Sequence, residues 1–579
     1  PSRGLGDVYK RQGWLGNQEH LFYLFLVILT VPNIVLCFTE PMSLVAKISN
    51  VLFPFSVYYA VMARSGNCSR TFWILFPFLF FGAFQLVLLY LFGQSIIAVD
   101  MFLNLVTTNS SEALELLDNL IPAIVLVVVL YIPALVLATV SMIRKRKLPE
   151  SFLRRERKRS WIALAIGIVS LGSAFWLDNR YELKSDLYPA NVCYNIALAF
   201  QRTARTQNYG ETSKDFTFNA RATHSAERKE AYIMVVGETS RAANWSIYGY
   251  GRETNPELSK VGGLTAFGHV LTESNTTHKS VPMLLSAVNA NDFDSIYHQK
   301  GIITAFKEAG YRTAFFSNQR YNHSFIDFFG KEADTFDFIK EDTGNSGYNP
   351  SDDELLKRVA SELDKGASKQ FIVLHTYGSH FNYRERYPAD KAFFLPDTPV
   401  DAEVKYKKNL LNAYDNSVRY TDNFLARVIH LLQDRGIDAA MLYTSDHGED
   451  IFDDDRHLFL HASPVPSYYQ IHVPFLVWMS DSYKETYPAL LEAARSNRQK
   501  EISSSSSFFQ TMLELGGIET PYRNDSLSVV NALFTEKQRV YLNDHNEARS
   551  LDDIGMRKED FEMLDQKGIQ YTGGKVSRY

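Results

Sequence analysis

Five long apolar runs distinguish the first part of the chain from the rest. A helix needs about 20 apolar residues to cross the hydrocarbon core of a bilayer, and each run approaches or reaches this length. Five such runs leave too few polar faces for a soluble bundle, so we predict five transmembrane helices. The runs lie at about 21–38, 43–63, 71–93, 120–143 and 161–177.

Charges in the short loops predict how these helices are oriented. Lysine and arginine concentrate in 144–160, and Arg64 and Arg70 lie between the second and third runs. The loop at 94–119 carries acidic residues and no lysine or arginine. Because positive loops stay in the cytoplasm, we predict a cytoplasmic N-terminal end and an external location for everything after about residue 178. In a bacterial cell that location is the periplasm.

After about residue 178 the pattern changes to short apolar runs that end in polar or glycine turns. Helical stretches such as 402–434 separate these runs. This alternation predicts an α/β domain with a mainly parallel sheet, in which ligands bind beyond the carboxyl ends of the strands. The predicted strands lie at 232–237, 313–317, 370–378, 439–448 and 474–480.

The apolar runs and the alternating pattern together predict three structural regions, which follow a short N-terminal segment that fits neither pattern. Residues 1–12 match neither pattern, and we interpret them as a non-native tail. We expect a transmembrane domain at 13–178 and a catalytic domain at 229–579. Residues 179–228 bridge the two, and their helical periodicity fits an interfacial helix or a plain linker helix equally well.

Composition excludes several classes of protein. Of the 579 residues, 46% are hydrophobic and 22% charged, which excludes a mainly disordered chain. The net charge of -5 gives no basic excess, so we expect no nucleic-acid partner. The three cysteines, Cys37, Cys68 and Cys193, are too few for a disulfide-based scaffold.

Potential metal ligands follow the predicted strands. These residues are Glu238, His380, Asp446, His447 and His461. A single Asp-His pair is more often a hydrogen-bonded turn than a metal site. Carboxylates and imidazoles at four strand ends favour zinc or a similar divalent ion.

A threonine nucleophile is the second candidate feature. Asn275, Thr276 and Thr277 precede a predicted helix, whose N-terminus could accept a phosphate or sulfate group. When these residues are considered alone, an ordinary helix cap is the preferred explanation. Beside a metal site, however, a threonine hydroxyl becomes a candidate nucleophile.

Seven short motifs in order are similar to those of a known family. They are VGETSR (236–241), SVP ending at Pro282, GSH (378–380), AYDN (413–416), SDHGE (445–449), LH (460–461) and VP (473–474). With the preceding membrane helices, they resemble the membrane-bound phosphoethanolamine transferases. That family includes lipid A-modifying and colistin-resistance enzymes and belongs to the alkaline phosphatase–sulfatase superfamily. The resemblance implies a five-helix transmembrane domain followed by an α/β sulfatase-like soluble domain.

The resemblance assigns roles to individual residues. It implies a zinc site formed by Glu238, Thr277, Asp446 and His447, with His380 and His461 as a second pair that binds another zinc or acts on phosphate and protons. Thr277 rather than Thr276 takes the nucleophile position, because it precedes Pro282 by five residues; Thr276 is then a cap or packing residue. Asn104, Thr108 and Glu112, spaced by four on one helix face, resemble the residues that approach the lipid headgroup.

The implied reaction transfers phosphoethanolamine from phosphatidylethanolamine to Thr277 and then to lipid A, a core sugar or another glycan. We expect one or two zinc ions, a monomer, and a location in the bacterial inner membrane. A phosphoglycerol transferase of the lipoteichoic acid synthase type is one alternative, and a membrane-tethered sulfatase or phosphodiesterase is another. The headgroup triad and the SVP motif disfavour the first, and the lack of a C/S-x-P-x-R motif disfavours the sulfatase. The segment SNQRYNH (317–323) has no match, and we interpret it as part of a headgroup pocket.

Overall fold

The chain folds into two compact units. The computed structural model describes residues 17–40, 42–92, 97–102, 110–343 and 349–571. The first unit ends at Phe200 and the second begins at Gln201, and residues 110–115 group with the second. We call them the membrane unit and the catalytic unit.

The described part of the membrane unit is helical. Four of its helices are each long and apolar enough to cross a membrane, and a bent pair can form a fifth span, as the five apolar runs predict. The helices are α1 (Gln18–Thr39), α2 (Leu44–Arg64), α3 (Cys68–Ile74), α4 (Phe76–Phe92), α5 (Ser110–Ile143), α6 (Glu150–Leu177), α7 (Leu183–Asp186) and α8 (Ala190–Gln207), the last of which continues into the catalytic unit.

The third apolar run differs from the straight helix that its composition predicts. It is divided into α3 and α4, whose axes differ by 60°. Pro77 explains the break, because it lacks an N–H and its ring collides with the backbone carbonyl one turn earlier in a continuous helix. The second run forms one continuous helix of 21 residues despite Lys47 and Pro54.

The basic cluster at 144–160 enters the first turns of α6. There the buried carboxylate of Glu156 accepts hydrogen bonds from Tyr59 of α2, from Arg155 at 2.8 Å and from Arg159 at 3.1 Å. Part of the cluster is therefore neutralised where the helices pack.

A seven-stranded sheet forms the centre of the catalytic unit. Its strands, in spatial order, are β3 (Leu264–Phe267), β11 (Phe475–Met479), β8 (Asp438–Ser445), β2 (Glu230–Gly237), β7 (Lys369–His375), β5 (Arg312–Ser317) and β6 (Thr335–Phe338). The strands from β8 to β6 are parallel, whereas β11 runs antiparallel to both β8 and β3. The mainly parallel sheet agrees with the alternation in the sequence.

The elements of this unit follow one another as helices and short strands. The strands are β1 (Arg221–Ala222), β2 (Glu230–Gly237), β3 (Leu264–Phe267), β4 (Val270–Leu271), β5 (Arg312–Ser317), β6 (Thr335–Phe338), β7 (Lys369–His375), β8 (Asp438–Ser445), β9 (Asp450–Ile451), β10 (Phe459–Leu460), β11 (Phe475–Met479), β12 (Ile502–Ser503), β13 (Ile518–Glu519), β14 (Val540–Leu542) and β15 (Ala548–Ser550). The helices are α9 (Tyr209–Thr212), α10 (Thr277–Leu284), α11 (Ile302–Glu308), α12 (Phe325–Gly330), α13 (Asp353–Leu363), α14 (Lys407–Gln433), α15 (Tyr468–Ile471), α16 (Asp481–Thr486), α17 (Pro488–Asn497), α18 (Ser504–Leu515) and α19 (Lys558–Gln566).

The central strand β2 is buried on both faces. Met234 belongs to a core cluster that includes Val281 of α10 and Phe508 of α18. Ile233 and Val235 point to the opposite face, because side chains alternate along a strand, and they are buried as well. The strand is therefore fixed from both sides, and the residues that follow it have a rigid base.

Candidate metal and nucleophile site

The candidate ligands lie beyond the carboxyl ends of two adjacent strands at the centre of the sheet. Glu238 follows the last residue of β2, and Asp446 and His447 follow the last residue of β8. Because these strands are parallel, their ends meet at one edge. The predicted strand at 439–448 ends earlier, at Ser445, so Asp446 and His447 lie just beyond the strand end. The Asp446 N–H still donates to the Gly237 carbonyl at 3.0 Å, which holds the two strand ends together.

Three of these side chains form a compact buried group. One ligand atom from each of Glu238, Asp446 and His447 lies within 4.8 Å of the others. His447 Nε2 is 3.2 Å from Asp446 Oδ2 and 3.7 Å from Glu238 Oε1. The three residues are 0–1% exposed, so two carboxylates are held close together away from water.

The donor atoms of this group suit a divalent cation such as zinc. Asp446 Oδ1 accepts hydrogen bonds from the backbone N–H groups of Thr239 and His447, whereas Oδ2 accepts none from the described residues. His447 Nδ1 donates to the Gly448 carbonyl at 2.9 Å, which leaves a lone pair on Nε2 facing the carboxylates. Buried charges require a partner, and a cation would supply it.

Burial and neighbouring charges both act on the ionisation of this group. Burial raises the pKa of Asp446 above its usual range. Burial alone would lower the pKa of His447, but the carboxylates of Asp446 and Glu238 outweigh it and raise that pKa. A cation among these residues would favour ionised carboxylates and a neutral imidazole.

Thr277 is the first residue of α10 and faces the ligand group. Its Oγ1 lies 3.1 Å from His447 Nε2 and 3.4 Å from Glu238 Oε1, within hydrogen-bonding distance of both. Its side chain is only half-buried, so a substrate could reach the hydroxyl group.

Thr276 has different surroundings. It occupies the N-cap position of α10, but its side chain makes no capping hydrogen bond. Its hydroxyl lies 3.1 Å from that of Ser274, and the residue is 3% exposed. Of the two roles expected for Thr276, the side-chain cap is therefore wrong. The burial of Thr276 agrees with the other role, a packing residue.

The two remaining histidines lie beside this group. The ring of His461 is 4.1 Å from that of His447 and 6.1 Å from that of His380, measured between centroids. Burial lowers the pKa of both His380 and His461 to about 3, which makes them neutral near pH 7. His380 Nδ1 donates to the Phe381 carbonyl at 2.6 Å, so its Nε2 can accept a proton. Among the described residues, neither histidine belongs to the three-residue metal group.

Two residues at the site are not predicted individually from the sequence, although Gln319 lies in the segment 317–323, which we interpret as part of a headgroup pocket. Glu449 is fully buried, accepts a hydrogen bond from Tyr383, and has Oε2 3.5 Å from His461 Nδ1. Burial raises its pKa to about 8. Gln319 lies next to Glu238 and donates a hydrogen bond to it. The position of Glu449 in SDHGE, two residues after His447, could have indicated that it lies at the site. The position of Gln319, two residues after the end of β5, could have indicated the same.

A glycine allows the turn after β7 to approach Glu238. Gly378 has a φ of +48°, and a side chain there would meet the Glu238 carbonyl oxygen at 2.6 Å. Ser379 donates its backbone N–H to the same carbonyl at 3.0 Å. The GSH motif therefore fixes the backbone of Glu238 as well as leading to His380.

The predicted headgroup triad is only partly within the described chain. Asn104 and Thr108 lie outside the described residues. Glu112 lies in α5, where the structure describes the helix but not this side chain. Their role stays a prediction.

Comparison with known proteins adds independent findings. Residues 230–518 match the family model described as Sulfatase. The chain is 31% identical over 288 residues to the Kdo(2)-lipid A phosphoethanolamine 7''-transferase of Escherichia coli, an alignment that covers 48% of this chain and 49% of the relative. The chain spans about half the length of the curated relatives that it matches.

Two solved structures are similar in fold. The periplasmic domain of Escherichia coli EptC, solved as a complex with Zn, has 25% identity and a TM-score of 0.54, and covers 61% of this chain and 98% of that one. The integral membrane lipooligosaccharide phosphoethanolamine transferase A of Neisseria meningitidis has 21% identity and a TM-score of 0.70, and covers 88% of this chain and 98% of that one. The second likeness confirms the predicted fold class, with apolar N-terminal helices followed by a sulfatase-like domain.

Proposed function

Because residues 230–518 match the sulfatase family model, we propose that the chain belongs to that family and is a membrane-bound enzyme that transfers phosphoethanolamine between lipids. The named relatives confirm the resemblance to phosphoethanolamine transferases that the motifs predict. One observation supports the activity above all others: the Thr277 hydroxyl lies within hydrogen-bonding distance of two members of a buried ligand group.

In this proposal Glu238, Asp446, His447 and the Thr277 hydroxyl bind zinc. The bound ion supplies positive charge that lowers the pKa of the threonine hydroxyl and offsets the charge of phosphate oxygens. Asp446 contributes the oxygen that accepts no hydrogen bond from the described residues, and His447 contributes Nε2. The zinc-containing structure of a similar periplasmic domain supports the choice of metal.

The first half of the reaction moves the phosphoryl group onto the protein. Thr277 Oγ1 attacks the phosphorus of phosphatidylethanolamine, a Thr277 O–P bond forms, and the bond from phosphorus to the diacylglycerol oxygen breaks. The threonine proton leaves on the diacylglycerol hydroxyl. His380 and His461, whose rings lie beside the ligand group, are our proposed carriers of this proton.

The second half releases the group to the acceptor. A lipid A phosphate or a sugar hydroxyl attacks the same phosphorus, the Thr277 O–P bond breaks, and the threonine regains a proton. The same imidazoles take the proton from the acceptor, so each half-reaction balances. The name of the Kdo(2)-lipid A transferase supports an acceptor of the lipid A class.

The membrane helices fit a reaction between two lipids. We propose that the protein lies in the bacterial inner membrane with its catalytic unit in the periplasm. Asn104, Thr108 and Glu112 are our proposed contacts to the lipid headgroup, with Glu112 pairing with the ethanolamine ammonium. The spacing of four between them supports this assignment.

Mass spectrometry of lipid A and surface glycans tests the function. Bacteria that express the protein should gain one phosphoethanolamine on lipid A, and bacteria that express Asp446→Ala at equal level should not. A gain of phosphoethanolamine on another glycan would support the transferase activity but identify a different acceptor. A gain of phosphoglycerol would favour the alternative transferase, and no gain on any surface molecule would overturn the proposal.

A further inference from the structure

The segment SNQRYNH after β5 has no role in the reaction described so far. Gln319, its third residue, reaches the edge of the ligand group. Its side-chain Nε2 donates to Glu238 Oε2 at 2.9 Å and to the Thr376 carbonyl at 3.1 Å. One amide nitrogen therefore connects the end of β7 with a residue that follows β2.

The backbone around Gln319 is fixed by its neighbours. Its N–H donates to Ser317 Oγ at 3.1 Å, and the Asn318 side chain donates to Asp352 Oδ1 at 2.8 Å. Asp352 also accepts the N–H of Tyr377 at 2.8 Å, next to Thr376. The amide of Gln319 is thus presented from a rigid turn rather than from a free loop.

The two oxygens of Glu238 have different partners. Oε1 accepts from Thr239 Oγ1 at 2.7 Å and lies 3.4 Å from Thr277 Oγ1, whereas Oε2 faces Gln319. A carboxylate held at only one oxygen can rotate about its last bond. A donor on Oε2 fixes that rotation and leaves Oε1 directed at the nucleophile.

We propose that Gln319 is a positioning residue, which orients the Glu238 carboxylate toward Thr277 and the metal-binding group. Glutamine suits this task because its Nε2 carries only hydrogen-bond donors, so it neither competes for the cation nor adds charge. Partners of this kind typically change metal affinity or activity by about 10–100-fold when they are removed. The binding of zinc at this group and the role of Thr277 as nucleophile both rest on the proposed function.

The test measures zinc affinity of the full-length protein in detergent by competition with a zinc chelator. Gln319→Leu keeps most of the volume and removes the donor, and Gln319→Glu keeps the shape but puts a second carboxylate against Glu238. Both variants should bind zinc about 10–100-fold more weakly than the wild type. Gln319→Asn retains an amide on a shorter side chain and should recover part of the affinity.

Gln370 provides the matched control. It is buried at the opposite end of β7, where its Nε2 donates to the Glu362 carbonyl at 2.9 Å. Gln370→Leu removes a comparable hydrogen bond far from the strand ends that carry the ligands, so zinc affinity should stay at the wild-type value. Equal loss in Gln370→Leu and Gln319→Leu would show a general effect of packing and overturn the proposal, as would wild-type affinity in Gln319→Leu.

A transfer assay on the same samples separates this inference from the proposed function. If Gln319→Leu loses zinc affinity and the wild type transfers no phosphoethanolamine, the positioning role stands and the proposed function fails. If the wild type transfers the group, Gln319→Leu at saturating zinc should still show a lowered kcat, because Glu238 remains misoriented toward Thr277. A kcat fully restored by zinc would overturn the orientation toward Thr277.

Discussion

Thr276 and Thr277 are adjacent in the chain, yet their hydroxyl groups meet different partners. Thr277 Oγ1 faces His447 and Glu238, whereas Thr276 Oγ1 faces Ser274 within the packed turn. The turn into α10 directs consecutive side chains to different sides. At the scale of one residue, therefore, position in the turn selects the candidate nucleophile, since both threonines have the same chemical group.

We expect Thr277→Ala to abolish transfer, because no other hydroxyl replaces a covalent nucleophile. Thr276→Ala should retain transfer and lose only about 1 kcal/mol of stability or less, since its side chain makes no cap bond. Incubation with donor lipid alone, followed by peptide mapping, should find phosphoethanolamine on Thr277. Phosphoethanolamine on Thr276 would contradict the assignment of Thr277 as the nucleophile. Phosphoethanolamine on neither threonine would contradict the two-step reaction.

The sequence predicts some site residues better than others for a physical reason. Glu238, Asp446 and His447 follow apolar runs, and parallel strands bring such positions to one edge. Gln319 and Glu449 also follow strand ends, but their contacts with Glu238 and His461 depend on how far each side chain reaches across the site, and spacing in the sequence does not determine that distance. Contacts of that kind become visible only when the turns are built.

At the scale of elements, side chains of α14 hold the loop that follows Glu238. The hydroxyl of Tyr414 accepts the N–H of Arg241 at 2.9 Å and donates to the Thr239 carbonyl at 2.8 Å, which holds the loop that follows Glu238. Two turns further along the helix, Asp422 accepts the N–H groups of Glu257 at 2.8 Å and Leu258 at 3.0 Å. One helix therefore anchors two loops by side chains that lie inside the fold.

Asp422 gives the catalytic unit a pH-dependent stability. Burial raises its pKa from 3.8 to about 7, so the folded state holds the proton more tightly than the unfolded state does. Its contribution is fully present below about pH 4 and is lost as pH rises toward 7. Asp422→Asn cannot titrate, so its stability relative to the wild type should improve by about 2 kcal/mol between pH 5 and pH 7.

Thermal unfolding of the detergent-solubilised protein at several pH values measures this difference. The comparison between variant and wild type cancels the other titrating groups. Leu425→Ala, a buried substitution in the same helix that changes no titrating group, is the control, and its difference from the wild type should stay constant with pH. A constant difference for Asp422→Asn as well would contradict the raised pKa.

Elements also show where pattern reading succeeds and where it fails. Burial on both faces makes β2, β7 and β8 continuous apolar runs, so the sequence predicts them to within a few residues. The third apolar run predicts one helix because its length and its apolar composition suit a membrane span. The break between α3 and α4 depends on the single residue Pro77, which a count of apolar residues does not reveal.

At the scale of the whole molecule, the side of the membrane that holds the catalytic unit depends on one helix. The basic cluster at 144–160 precedes the apolar part of α6, and the catalytic unit follows it. The bent pair α3–α4 affects only the elements before α5. The predicted external location of the catalytic unit is therefore independent of whether that pair spans the membrane.

A reporter enzyme that is active only in the periplasm checks this orientation. Fused after residue 579 it should be active, and fused within 144–160 it should be inactive, because the positive cluster stays in the cytoplasm. A fusion within 94–102 should be active if α3 and α4 together cross the membrane. A reporter that is active within 144–160 and inactive after residue 579 would contradict the predicted orientation. It would also contradict the proposal that the catalytic unit acts on periplasmic lipids.

The central position of β2 has a consequence for the lifetime of the site. Its backbone is paired on both sides, with β7 and with β8, and these are the strands from which the ligands and the GSH turn extend. Fluctuations that fray a sheet begin at its edges, where strands have one neighbour, and reach the centre only when the whole unit opens. The amides beneath Glu238 should accordingly be among the slowest in the unit to exchange with water, and the geometry that surrounds Thr277 should persist through many local openings elsewhere.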